Sequence, residues 1–155
     1  MLYLDTSALV KKYFREAGSD AIITRAIAAG QGLFTSMLTF AEVQAVIARK
    51  HNEGRINPKK LSQLRLAFEG DWTNLLNILE VNLQTMRFVS KLVEQFQLKS
   101  GDAIQLSTAM WLVKENMAEE DSQTSEPIEF VVADRKLANA ALKCGLQVFN
   151  PEDED

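Results

Sequence analysis

Short apolar runs alternate with helical stretches along the whole chain, and this alternation restricts the fold more than any other feature. Runs at residues 1–4, 33–36, 128–133 and 146–149 have the length of strands, and a weaker one lies at 78–81. Between them, apolar residues recur at helical spacing, as in Phe40, Val43, Val46 and Ile47. Parallel strands need a long crossover, usually a helix, so strands separated by helices predict a parallel sheet. The expected architecture is α/β: a three-layer α/β/α sandwich with a mainly parallel central sheet. Gly18-Ser19 opens the first long helix and Gly30-Gln31-Gly32 ends it. Further helices are expected at 39–52, at 61–79 with an interruption near Gly70, at 83–96, from Ser100 through Val113, and at 135–143. Without an internal repeat or a linker, the 155 residues read as one domain over 1–150, followed by an acidic tail at 151–155.

Several acids fall where strands give way to helices. Asp5 follows the first run, Glu42 stands in the first turn after the second, Asp102 follows Ser100, and Asp134 follows the run ending at Ala133. Each has a structural explanation. Asp5 and Asp134 suit helix N-caps, Thr39 and Glu42 have the spacing of a capping box, and the helix dipole favours Asp102. In an open parallel sheet, however, the carboxyl ends of the strands form the rim where ligands bind. Carboxylates gathered on that rim are costly without a cation.

One histidine, His51, and one cysteine, Cys144, exclude a His/Cys zinc cage built from this chain alone. A metal here is held by oxygen, which suits Mg²⁺ or Mn²⁺. The chemistry such a cluster serves is phosphodiester hydrolysis, in which the ion makes a water more acidic and offsets charge on the phosphate. Ser7 is either a helper that offers its hydroxyl to a carboxylate or phosphate, or a helix-start residue bonded to nearby backbone.

The segments Leu4-Asp5-Thr6-Ser7-Ala8-Leu9, Thr39-Phe40-Ala41-Glu42, 98–109 around Ser100-Gly101-Asp102-Ala103, and 130–137 around Ala133-Asp134-Arg135 occur in this order. In that order they resemble the successive motifs of PIN-domain ribonucleases, and Gly18-Ser19 is most similar to the VapC-type toxins of that family. The resemblance implies Mg²⁺- or Mn²⁺-dependent cleavage of RNA, a homodimer, and inhibition by a cognate VapB-like antitoxin. By matched position it implies Asp5, Glu42, Asp102 and Asp134 as metal ligands and catalytic acids, with Ser7 beside them. Val132 stands where many members carry Ser or Thr, and the polar stretch 116–127 is longer than the compact pattern.

The net charge of −4 is unevenly spread. Ten acids lie in residues 115–129 and in the tail, and without them eleven acids face seventeen Lys and Arg. A basic body with two acidic, solvated appendages is one reading, and Arg49, Lys50, Arg55, Lys59, Lys60 and Arg65 are its candidate RNA contact. A solvated helical surface is the other. No apolar run approaches a membrane span, and the first residues are already strand-like, without a basic leader and cleavage site, so a cytoplasmic protein without membrane contact is expected. Three functions follow from these readings: a toxin-type endoribonuclease, an RNA-processing nuclease without an antitoxin, and a binding module whose acids only cap helices. For an antitoxin, the expected mode is an Arg inserted among the acids, with a helix lying along Val10, Tyr13 and Phe14.

Overall fold

The side chains of strand β1 (Leu2–Leu4) divide between two cores. Leu2 and Leu4 join one apolar cluster and Tyr3 joins the other, as the period of two in a strand requires. The structure is a computed structural model describing residues 1–118 and 127–154. Around β1 lie β2 (Leu33–Ser36), β3 (Asn77–Leu79), β4 (Glu129–Val131) and β5 (Gln147–Phe149) in the order β3-β2-β1-β4-β5, every pair parallel. The first core joins β1 to α1 (Thr6–Leu9), α2 (Ser19–Ala29), α3 (Leu38–Asn52) and α4 (Pro58–Asn74). The second joins Tyr3, Phe130 and Val132 to α5 (Val89–Phe96), α6 (Ser100–Ala118) and α7 (Arg135–Lys143). These are the three layers the alternation predicts.

The strand order reverses between β1 and β4. Chain leaving β1 builds outward through β2 and β3, and chain entering β4 builds the other way to β5. Such a switch point opens a crevice at the carboxyl ends of the two strands. Asp5 and Asp134 are the residues that leave β1 and precede α7 on either side of it.

Four expectations are corrected. The helix expected to continue to residue 79 ends at Asn74 and runs unbroken through Gly70. Leu75 and Leu76 both donate their N–H to the Asp71 carbonyl, and Leu76 then turns into the core. Strand β3 follows at Asn77–Leu79, one residue earlier than expected. Of the helix expected at 83–96 only Val89–Phe96 forms. Before it, Asn82 Oδ1 accepts from the N–H of Gln84 and Thr85, and Thr85 Oγ1 accepts from Asn82 N–H, a local alternative to helical bonding. The polar loop expected from 116 starts later, because α6 continues to Ala118; its central part, 119–126, lies outside the described residues. Finally, Val10, Tyr13 and Phe14 do not form a free groove. Val10 and Phe14 are buried, and Tyr13 packs edge-on against Phe68 while its hydroxyl donates to Asp71 at 2.6 Å.

The tail is also less detached than its composition suggests. Pro151–Glu154 forms a 3-10 turn, and Glu152 pairs with the buried ammonium of Lys11 at 2.7 Å. Gly18 makes this docking possible: its φ is 79°, and a Cβ there would stand 2.7 Å from the Pro151 backbone. Glu129 likewise pairs with Arg25 at 2.6 Å. The acids thus offset cations of the body directly, and the picture of a basic body with free acidic appendages does not hold for these residues.

Candidate active site

Asp5 caps α1 and does more than cap. Its backbone is extended, and its Oδ2 accepts the Ser7 N–H at 2.9 Å and the Ser7 hydroxyl at 2.6 Å. The Ser7 oxygen in turn accepts from the N–H of Ala133 at 3.0 Å and of Asp134 at 3.3 Å. One hydroxyl therefore ties the end of β1 to the end of β4 across the switch point, and its bonding capacity is used within the protein. Asp134 caps α7, its Oδ1 accepting from Leu137 N–H at 2.8 Å.

Glu42 is not part of a capping box. Met37, not Thr39, precedes the first turn of α3, and Thr39 is fully buried with its hydroxyl against Thr35 and Gln105. Glu42 instead reaches α1 and α6, its Oε2 accepting from Thr6 Oγ1 of α1 and, at 2.9 Å, from Gln105 Nε2 of α6. Gly101 makes room for it, since a Cβ there would lie 2.6 Å from Glu42 Oε1. Asp102 follows in the first turn of the same helix.

These groups open into one cleft of about 730 Å³, lined by Asp5, Ser7, Glu42, Asp102 and Asp134, with Glu16 and Glu152 also among its walls. Lys11, Arg49, Lys50 and Arg55 line it too, so half of the basic segment reaches the cleft, whereas Lys59, Lys60 and Arg65 are not among its walls. Lys50 is held by Glu16 and sits over the Phe14 ring at 4.5 Å; Arg55 pairs with Glu53 at 3.1 Å. Sequence reasoning missed Thr6, Lys11 and Gln105. Gln105 had a signal: it is a polar residue one turn after Asp102 and shares that acid's helix face.

The electrostatics follow from this crowding. Burial pushes the Asp5 carboxyl up to about 6; the two Ser7 bonds oppose that, and the charges of Glu42 and Asp102 add to it. Asp102 is raised as well, first by burial and then by Asp134, with Lys99 pulling the other way. Among the described residues no Lys or Arg forms a salt bridge with Asp5, Glu42, Asp102 or Asp134. Nor do three of the described His, Cys, Asp or Glu side chains close into a ready-made cage. An all-oxygen donor set that is mutually repulsive and still open fits a hard divalent cation that keeps several waters.

A search of curated proteins by sequence finds no match. Solved structures share the fold. FitAcB from Neisseria gonorrhoeae is similar with a TM-score of 0.70 and 17% identity, over 97% of this chain and 98% of that one. VapBC2 from Rickettsia felis, bound to a DNA fragment from its promoter, gives 0.65 and 18% over 97% and 98%. A toxin–antitoxin complex from Klebsiella pneumoniae gives 0.58 and 18% over the same shares, 97% and 98%. Residues 2–141, which contain every element from β1 into α7 together with Asp5, Glu42, Asp102 and Asp134, match the PIN domain family, and the chain belongs to it.

Proposed function

We propose that this PIN domain is a divalent-cation-dependent endoribonuclease acting as the toxin of a toxin–antitoxin pair. The observation that carries the reading is the shared lining of one cleft, in which Asp5, Glu42, Asp102 and Asp134 occur together with Arg49, Lys50 and Arg55. Asp5, Glu42, Asp102 and Asp134 hold the ion, Mg²⁺ or Mn²⁺. When bound, that ion supplies charge neutralisation at the phosphate and a more acidic water. The chain's own residues do the rest. Ser7 holds Asp5 and the Asp134 loop in register and is a positioning residue. Arg49 and Arg55 hold the flanking phosphates, which places the strand without reading its bases. Several acids beside one another leave no room for a second anion unless the cation is present, so substrate phosphate and ion bind together.

The toxin assignment rests on the fold shared with FitAcB, VapBC2 and the Klebsiella complex over nearly the full length of each chain. It implies a homodimer in the cytoplasm and a small antitoxin that places an Arg among the carboxylates. Because Val10, Tyr13 and Phe14 are taken up by the core, the antitoxin's helix docks elsewhere. No helix among the described residues is long and apolar enough to cross a membrane.

The test is cleavage of a labelled RNA by the purified chain with Mg²⁺, with Mn²⁺ and with excess EDTA. Cleavage only with the cation supports the nuclease; equal cleavage in EDTA removes it. Growth arrest on induction, relieved by the product of the neighbouring reading frame, supports the toxin role, and arrest-free expression of an active nuclease removes that role alone.

A further inference from the structure

Behind the cleft, a chain of buried polar groups converges on one oxygen of Glu42. Tyr3, fully buried, donates its hydroxyl to Gln105 Oε1 at 2.9 Å. This orients the amide, because the opposite orientation would set its carbonyl oxygen against the Glu42 carboxylate. The Gln105 Nε2 then faces Thr39 Oγ1 at 2.8 Å, Glu42 Oε2 at 2.9 Å and Thr6 Oγ1 at 3.1 Å. Thr39 is set to accept, because its own hydroxyl meets Thr35 Oγ1 at 2.8 Å while Thr35 donates to the Leu4 carbonyl at 2.7 Å. One branch thus ends on the Leu4 carbonyl, and the other runs from Tyr3 through Gln105 to Glu42. Glu42 Oε2 ends with two donors, Gln105 and Thr6, and Oε1 lies against the bare Cα of Gly101 with no hydrogen bond from a described residue.

We propose that Gln105, oriented by Tyr3, is a positioning residue for Glu42: it occupies Oε2 and leaves Oε1, which takes no hydrogen bond from a described residue, as the oxygen that would serve a cation. The amide is buried, and Ala103, Leu106 and Ala109 on its own helix are buried beside it. A satisfied polar network in such surroundings costs more to leave incomplete than to replace with apolar groups. Its retention is explained by the carboxylate it holds. Partners behind metal ligands contribute on the order of 10- to 100-fold to ion affinity. The inference rests on the proposed cation site, and the experiment separates the two.

The measurement is Mn²⁺ binding by titration calorimetry on folded protein, with thermal stability read separately in EDTA. Gln105→Met keeps the volume and removes the donors; Tyr3→Phe keeps the packing and frees the amide to turn. Gln105→Met is expected to raise the Mn²⁺ dissociation constant about 10- to 100-fold, and Tyr3→Phe by less. Wild-type affinity in folded Gln105→Met overturns the inference, whatever its stability. If that variant does not fold, wild-type affinity in Tyr3→Phe overturns it by the same criterion. A wild-type chain that binds no Mn²⁺ overturns both the inference and the cation site.

Discussion

Asp5 shows how one side chain carries two roles that a sequence presents as alternatives. It caps α1 and also stands in the cleft with Glu42 and Asp102 close enough to raise its proton affinity. Asn caps as well as Asp, and its carbonyl oxygen can accept both Ser7 bonds. Asp5→Asn is therefore expected to abolish cleavage without unfolding the protein. Its stability should rise at pH 7, because the Asp5 carboxyl is raised from 3.8 to about 6, which sets an upper bound of roughly 3 kcal/mol on the relief. Asp102→Asn should also abolish cleavage with little change in the melt. Thermal melts and cleavage rates of both variants check this, and wild-type activity in either removes that residue from the site. Gly101 gives a sharper separation. Gly101→Ala adds a better helix former, by about 1 kcal/mol, but its Cβ would fall 2.6 Å from Glu42 Oε1. The melt should stay level or rise while cleavage falls about tenfold or more; unchanged cleavage would show that the Glu42 position is not critical.

At the scale of elements, the sequence gives away the acids more readily than the framework that holds them. Asp5, Asp102 and Asp134 sit where helix-start chemistry is visible in a string of residues. Glu42 was visible only as a capping box, since nothing local announces that Thr39 is buried beneath β2 or that α6 passes with a glycine at the crossing. The boundaries that moved did so for similar reasons. Residues 82–88 have a helical spacing of apolar side chains, yet Asn82 and Thr85 take their own backbone N–H groups and delay α5 until Val89. The last turn of α3 and the turn that follows it supply the basic wall of the cleft, and a prediction belongs to it. Arg49→Ala and Arg55→Ala should each raise KM for RNA and leave the rate at saturation nearly intact. Each lost phosphate contact should also flatten the dependence of log K on log salt by about 0.7 for a single strand. Measuring cleavage between low and moderate salt checks this; an unchanged slope in both variants means the strand does not follow that wall.

For the whole molecule, the fold was legible because strand and helix periods alternate along the chain, ambiguous only around residues 78–81, and the order of the strands then places the switch point by itself. The charge distribution was not, because pairing depends on contacts far apart in sequence: Lys11 meets Glu152 and Arg25 meets Glu129 across more than a hundred residues. What the global charge conceals, the cleft concentrates, and stability should report it. Without a cation, folded Asp5 binds its proton more tightly than unfolded Asp5, being raised from 3.8 to about 6. The folded state thus holds more protons in that interval, and stability falls as pH rises from about 4 through about 6. Asp102, also raised by burial and by its neighbours, acts in the same direction. A divalent cation held by the ionised carboxylates, as proposed, would restore what ionisation withheld. At a concentration about a hundred times its dissociation constant it should add roughly 2.7 kcal/mol, a rise of roughly 5–10 °C in Tm for a chain of this size. Protons compete for the same oxygens, so the rise with Mn²⁺ should be largest near pH 7.5 and shrink towards pH 5. Melting curves in EDTA and in Mn²⁺ across that range test the linkage, and a cation effect that is absent, or equal at both ends, would mean that the clustered carboxylates are not where the ion binds.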